Sequence, residues 1–151
     1  MSYDPAALAA LIGDMTGKLD QVIGLGALQR ATYDLVFRFQ SAPGANEIID
    51  FFLLGSAYVL PAQMAGAIGF AGGHPVADYV LTLRAGGTLD PATGDVIGTI
   101  TISPAGLFTF ATVSTVETIV PKGSLIKLVG QPVVDAGLSG VTFAMPGFLS
   151  A

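Results

Sequence analysis

The chain holds one histidine, His74, and no cysteine. A Ser-His-Asp triad would have to pass its proton through His74, the one imidazole available. His74 sits in Gly72-Gly73-His74-Pro75, a loop sequence that signals no nucleophile or acid beside it. The expected role is that of a surface or loop-packing histidine. Without cysteine there is no disulfide, thiolate nucleophile or Cys zinc site, and one histidine cannot build a His-rich metal centre. Asp90, Thr93 and Asp95 cluster in the run from Gly87 to Asp95. Oxygen ligands so spaced suit a weakly held Ca²⁺. The spacing matches no EF-hand loop, however, and Asp and Gly are equally what a long turn needs, so a turn is expected. The paired carboxylates of a glycosidase meet in space rather than in sequence. Nothing marks such a pair, and with no tryptophan the chain lacks the stacking platform sugar enzymes favour. The Gly69–Gly73 stretch opens no helix and carries no Walker lysine, so it is expected to form tight turns between buried strands. The expectation is a non-enzymatic protein with no catalytic residue, no metal and no cofactor.

What those residues must be mounted on follows from composition. The 151 residues suit one domain, or one domain with a short appendage. Charged residues make up 11% of the chain, against roughly 25% in globular chains generally. Hydrophobic residues reach 52%, and the mean hydropathy is +0.69. Such a chain is not disordered. Six basic residues and a net charge of −5 give no positive field for phosphates, so no nucleic-acid partner is expected. The apolar excess needs an outlet, in a membrane or against other copies of the chain. Phe51–Gly73 is uncharged and long enough to cross a bilayer. Pro61, Gln63, Ser56 and five glycines interrupt it, and no Lys/Arg cluster flanks it. Two or three short buried strands are expected there, and no membrane partner. The N-terminus lacks the basic n-region and apolar run of a signal peptide, so synthesis and folding in a cytoplasm are expected.

Residues 1–30 form an N-terminal segment in which 3–26 read as the one helix, with Asp4 as cap, Pro5 in the first turn, and Gly24 and Gly26 ending it. Leu8, Ile12, Met15, Leu19 and Val22 are spaced 4, 3, 4, 3, an a/d heptad register and a candidate oligomerisation seam. Gly13 and Gly17 weaken it by roughly 1 kcal/mol each. An amphipathic helix packed on its own domain and a short coiled coil between subunits fit the register equally well. From residue 31 the period changes to two. Tyr33–Gln40, Ile48–Leu54, Ala57–Leu60, Val76–Arg84, Val96–Ser103, Leu107–Val113, Glu117–Val120, Leu125–Val129 and Val141–Met145 read as strands separated by Gly, Pro and Asp turns. The fold class expected is mainly β: an antiparallel, jelly-roll-like β-sandwich over 31–151, preceded by a short N-terminal α-helix in 1–30.

The order of these pieces resembles a module of tailed-bacteriophage virion proteins found in short tail fibres and in head or tail appendages. The C-terminal half carries the more specific match: ADYVLTLRAGG, then IGTITI, then LFTFATVST, then the turn Pro121-Lys122-Gly123-Ser124-Leu125. An ending with Pro132, Asp135, Leu138, Val141, Phe143, Met145 and Gly147 completes it. TYDLVFRF and the Leu60-Pro61-Ala62 stretch with its small residues match more loosely. Ser124 stands where the family usually has an acid, and the Gly87–Asp95 turn is longer than usual. The resemblance implies a virion structural protein made in the host cytoplasm, a homotrimer docked on other virion proteins as a small appendage, decoration or fibre subunit. Trimer formation would absorb the apolar excess. The alternative is a carbohydrate- or receptor-binding tip module with a host-surface glycan as partner. Nearly all aromatic residues fall in strand patterns rather than long loops, which favours the scaffold reading.

Overall fold

The computed structural model describes residues 31–150 together with Ala6 and Met15. The chain divides into two units, Met1–Ala31 and Thr32–Ala151. Of the expected helical seam, Leu8, Ile12, Leu19 and Val22 lie outside the described residues. Met15 is described, as a helical and exposed residue.

Among the described residues the strands are β1 (Ala31–Phe39), β2 (Ile48–Leu53), β3 (Ala57–Leu60), β4 (Ile68–Gly73), β5 (Tyr79–Ala85), β6 (Asp95–Ile102), β7 (Phe108–Thr112), β8 (Thr118–Val120), β9 (Leu125–Val129) and β10 (Ser139–Ser150). A single 3-10 turn, Ala62–Met64, separates β3 from β4. The strands form two antiparallel sheets. Sheet I has the order β1-β10-β3-β8, with β4 also pairing β10. Sheet II has the order β2-β9-β5-β6-β7.

Alternation sets what each sheet buries. In β5, Tyr79, Leu81 and Leu83 are fully buried while Val80, Thr82 and Arg84 point outward. In β10 the inward set is Val141, Phe143 and Met145. These residues join Leu35, Phe37, Leu60, Ile100, Ile102, Ile126 and Leu128 in one core cluster fed by both sheets. Aromatic pairs bridge the layers. Phe37 of sheet I lies 5.3 Å from Phe52 of sheet II, and Phe143 lies 6.3 Å from Phe108, centroid to centroid. The architecture is β-sandwich-like.

Three expectations are corrected. Gly69–Gly73 is not a set of turns but part of β4, paired to β10 from Ile68↔Ala144 to Gly73↔Ser139. Its glycines serve close approach: the Phe108 ring occupies the space a Gly69 side chain would need, and Ser139 does the same at Gly73. The Phe51–Gly73 stretch does form strands, but they are not wholly buried, since Phe51, Leu53, Ile68 and Phe70 are exposed. No helix long and apolar enough to cross a membrane occurs among the described residues. The fifth strand begins at Tyr79 rather than Val76, because the Asp135 carboxylate takes the Val76 and Ala77 amides (2.8 and 3.3 Å) that a ladder would use.

β10 also runs well past Met145. Pro146 lacks an amide, yet the strand continues through it. The gap falls where β10 changes partner, from β4 (last paired at Ala144) to β3 (first paired at Phe148).

Candidate functional site

Two outward faces, one on each sheet, carry the features that bear on function. On sheet I the outward residues are largely apolar. Ile68 and Phe70 of β4 stand beside Ala144 and Thr142 of β10. Further along, the partly buried Phe148, the buried Val59 and the exposed Ile119 form a cross-strand row from β10 through β3 to β8. Ile68, Phe70 and Ile119 are 71%, 64% and 61% exposed, which is unusual for large apolar side chains on neighbouring strands. Val36 adds to the same face from β1, lying between the inward Leu35 and Phe37.

The outward face of sheet II is polar at its centre. Thr82 pairs with Thr99, and Thr101 with both Val80 and Thr109. At one end Arg84 and Lys127 are direct cross-strand partners, two cations side by side in a chain of net charge −5. Lys127 is fully buried. The loop between β5 and β6 folds over it, and its ammonium donates to the carbonyls of Thr88 (2.6 Å), Asp90 (2.7 Å) and Thr93 (2.8 Å) and to the Thr93 hydroxyl (3.0 Å). Three carbonyls call for three N–H groups, which the ammonium has and the neutral amine lacks. Burial, and then the Arg84 charge, push the Lys127 pKa below the ordinary lysine value, while Asp90 pulls it back.

The rest of the loop is tied to this centre. The Thr93 hydroxyl accepts from the Thr88 amide (2.9 Å) and donates to the Asp90 carbonyl (2.9 Å). Arg84 donates to the Gly94 carbonyl (2.8 Å). Gly87 and Gly94 hold left-handed φ values of 74° and 85° and touch one another, so a side chain at either would strike the facing backbone. Asp90 and Thr93 of the Asp90-Thr93-Asp95 cluster are thereby placed in a turn. The Asp90 carboxylate accepts the Ala92 amide (2.9 Å) in a local turn. The loop's inward oxygens do surround a cation, but it is the protein's own Lys127. Sequence reading missed Lys127, although one signal was present: a lone charge in the middle of LIKLV, on the parity opposite Ile126 and Leu128.

His74 is exposed, its ring resting on Gly106 in the β6–β7 turn. Asp135, part of the matched C-terminal ending, bonds Gly137 (3.0 Å) besides Val76 and Ala77, and so pins the loop before β5 to the loop before β10. Tyr58 is buried beneath β10, its hydroxyl reaching the Met145 carbonyl (3.3 Å) against Gly147. Burial, with the nearby Asp34 and Tyr33, raises its pKa well above the usual phenol range. Burial raises that of Tyr79 too.

Neither a protein-family model nor a curated protein matches the chain.

Proposed function

We propose that the chain is a non-enzymatic virion structural protein, a subunit of a small homotrimeric appendage, decoration or fibre on a tailed-phage particle. The observation that carries this reading is the outward face of sheet I. It presents Ile68, Phe70 and Ile119 to solvent on strands whose inner faces are already satisfied by the core. Burying one such side chain contributes about 1.5–3 kcal/mol, so covering these side chains supplies a substantial part of the driving force that association needs. A second copy of the chain is the occupant the resemblance to trimeric virion modules implies.

The strand order supports the same reading. Leaving out β4 and β7, the chain runs sheet I, II, I, II, II, I, II, I, and the orders β1-β10-β3-β8 and β2-β9-β5-β6 are those of an eight-stranded jelly roll. That fold recurs in viral capsid and lectin domains. This is support by fold analogy, and function rests on the face rather than the fold.

Gold-labelled antibody against the chain, applied to intact particles of the virus that encodes it, tests the proposal. Label at fixed positions on the particle is the expected result. Label confined to unassembled protein in infected cells contradicts it. A second reading, a module that binds a host-surface glycan, is favoured by one observation: a groove on the outward face of sheet II beside Arg84.

A further inference from the structure

The groove has a volume of about 420 Å³, within the range of small-ligand sites. Its floor is Val80, Thr82 and Val129 of sheet II, and Arg84 closes the end nearest the folded loop. Pro91 and Ala92 of that loop form one wall, and Gln131 and Pro132 form another, with Asn46 on the rim. Val129 is buried yet stands apart from the core cluster, so its methyl groups face the groove rather than the interior.

The electrostatics of the site are unfinished. Arg84 and Lys127 are directly opposed like charges, an arrangement that destabilises a sheet. Lys127 is satisfied by loop carbonyls, but Arg84 is not. Its one hydrogen bond is from Nη1 to the Gly94 carbonyl, and among the described residues no carboxylate pairs with it. A guanidinium has five N–H donors in a planar fork suited to a carboxylate. The hydroxyl of Thr82 and the side-chain amide of Asn46 likewise make no hydrogen bond in the described structure. Asn46 adopts a left-handed φ of 54° and is held on the rim by its backbone N–H, which donates to the Gln131 carbonyl (3.1 Å). The Gln131 side chain is fixed between the Val80 amide and the Val133 carbonyl. A rigid wall, an apolar floor, a half-committed cation and two free polar side chains converge on one cleft.

We infer that this groove binds an acidic sugar, with the ring carboxylate on the free edge of Arg84, hydroxyls on Thr82 and Asn46, and the C–H face of the ring on Val80 and Val129. In an acidic protein a local cation pair selects for the anion, because the surrounding surface repels it elsewhere. The inference rests on the glycan-binding reading. Its failure leaves the assembly face of sheet I untouched, since the two lie on opposite sheets.

The test is titration of the full chain with sodium glucuronate, followed by amide and arginine side-chain NMR. Saturable shifts confined to Arg84, Thr82, Asn46 and Gln131 are expected. Arg84→Gln should weaken binding about 10- to 100-fold, the worth of a charge-assisted hydrogen bond. Arg84→Lys keeps the charge but loses the fork, and should fall between the two. Glucose and inorganic phosphate are the comparison probes. Equal binding of glucose would overturn the role of Arg84, and equal binding of phosphate would reduce the site to one for any anion. No saturable shift with glucuronate would overturn the inference outright. Should Arg84→Gln fail to fold, Asn46→Ala, an exposed change, supplies the second variant. Undiminished binding in it, with shifts mapping elsewhere, would also contradict the assignment.

Discussion

The outward faces of the two sheets resolve the same problem differently. Each sheet sends alternate residues away from the core. At the centre of sheet II those residues are threonines, valines and two cations, with the exposed Phe51 and Leu53 on the β2 edge, and the β5–β6 loop folds back to satisfy the buried ammonium of Lys127 with Thr88, Asp90 and Thr93. The Lys127 ammonium is thereby satisfied within one chain. On sheet I the outward residues are Ile68, Phe70, Ile119 and Phe148, and the first three are left in solvent. That face becomes complete only when something covers it. The high hydropathy of the chain is therefore not spread evenly. Much of it is absorbed by the shared core, and the surplus is divided between the outward side of sheet I and the β2 edge of sheet II, where Phe51 and Leu53 are exposed.

The largest effect on the stability of the subunit should come from breaking the loop cap over Lys127. Lys127→Met keeps the length of the side chain but removes the donor, leaving three loop carbonyls to find water at the edge of a packed loop. Urea denaturation should show a loss of about 2–4 kcal/mol, with the oligomeric state unchanged. A loss below about 0.5 kcal/mol would mean that the loop does not depend on the ammonium.

The complementary change on sheet I should do the reverse. Ile68→Asp with Phe70→Asp should leave the stability of the isolated subunit nearly unaltered, because both side chains are exposed there. Subunit association should weaken by about 1.5–3 kcal/mol for each apolar side chain withdrawn, read by sedimentation across a dilution series. A variant that associates as the parent does would move the interface elsewhere.

A smaller, graded effect is expected with pH. Tyr58 and Tyr79 have folded-state pKa values raised above the ordinary phenol value of 10.0, chiefly by burial. Their contribution is fully present below pH 10 and is lost as pH rises above it, with a slope of up to about 1.4 kcal/mol per pH unit for each tyrosine. Lys127 acts with the opposite sign. Its folded pKa lies below the ordinary 10.5, so the unfolded chain holds the proton longer and stability rises through that window. Denaturation midpoints between pH 8 and 12 should show the tyrosine decline, and Lys127→Met should remove the opposing rise. The smallest change is expected from His74→Ala. With its exposed ring resting on Gly106, it should alter stability by less than about 0.5 kcal/mol and leave assembly intact.

How much of this was legible in the sequence differs between the faces in the same way. Period-two patterning located β1, β5, β6 and β9, because alternation is a local property of the chain. β4 was hidden, because its glycines look like turn residues until Phe108 and Ser139 are brought against them from far along the sequence. Val76 and Ala77 read as strand for a similar reason: the carboxylate that removes their amides from the ladder lies at Asp135, 59 residues from Val76. The Gly87–Asp95 run was recognisable as a long turn with oxygen ligands. That its oxygens enclose Lys127 depends on pairing β9 with β5, which no local pattern specifies. The apolar surplus was plain in the composition, but the placement of the part on sheet I depends on the register of β10 with β3 and β4.

Sedimentation velocity of the full chain at micromolar concentration tests the central claim most directly. The account predicts a single species of three times the 15.3 kDa chain mass, dissociated by Ile68→Asp with Phe70→Asp and unaffected by Thr101→Ser on the opposite sheet. A 15.3 kDa monomer that stays soluble across the concentration range, with Ile68 and Phe70 open to solvent, would contradict it.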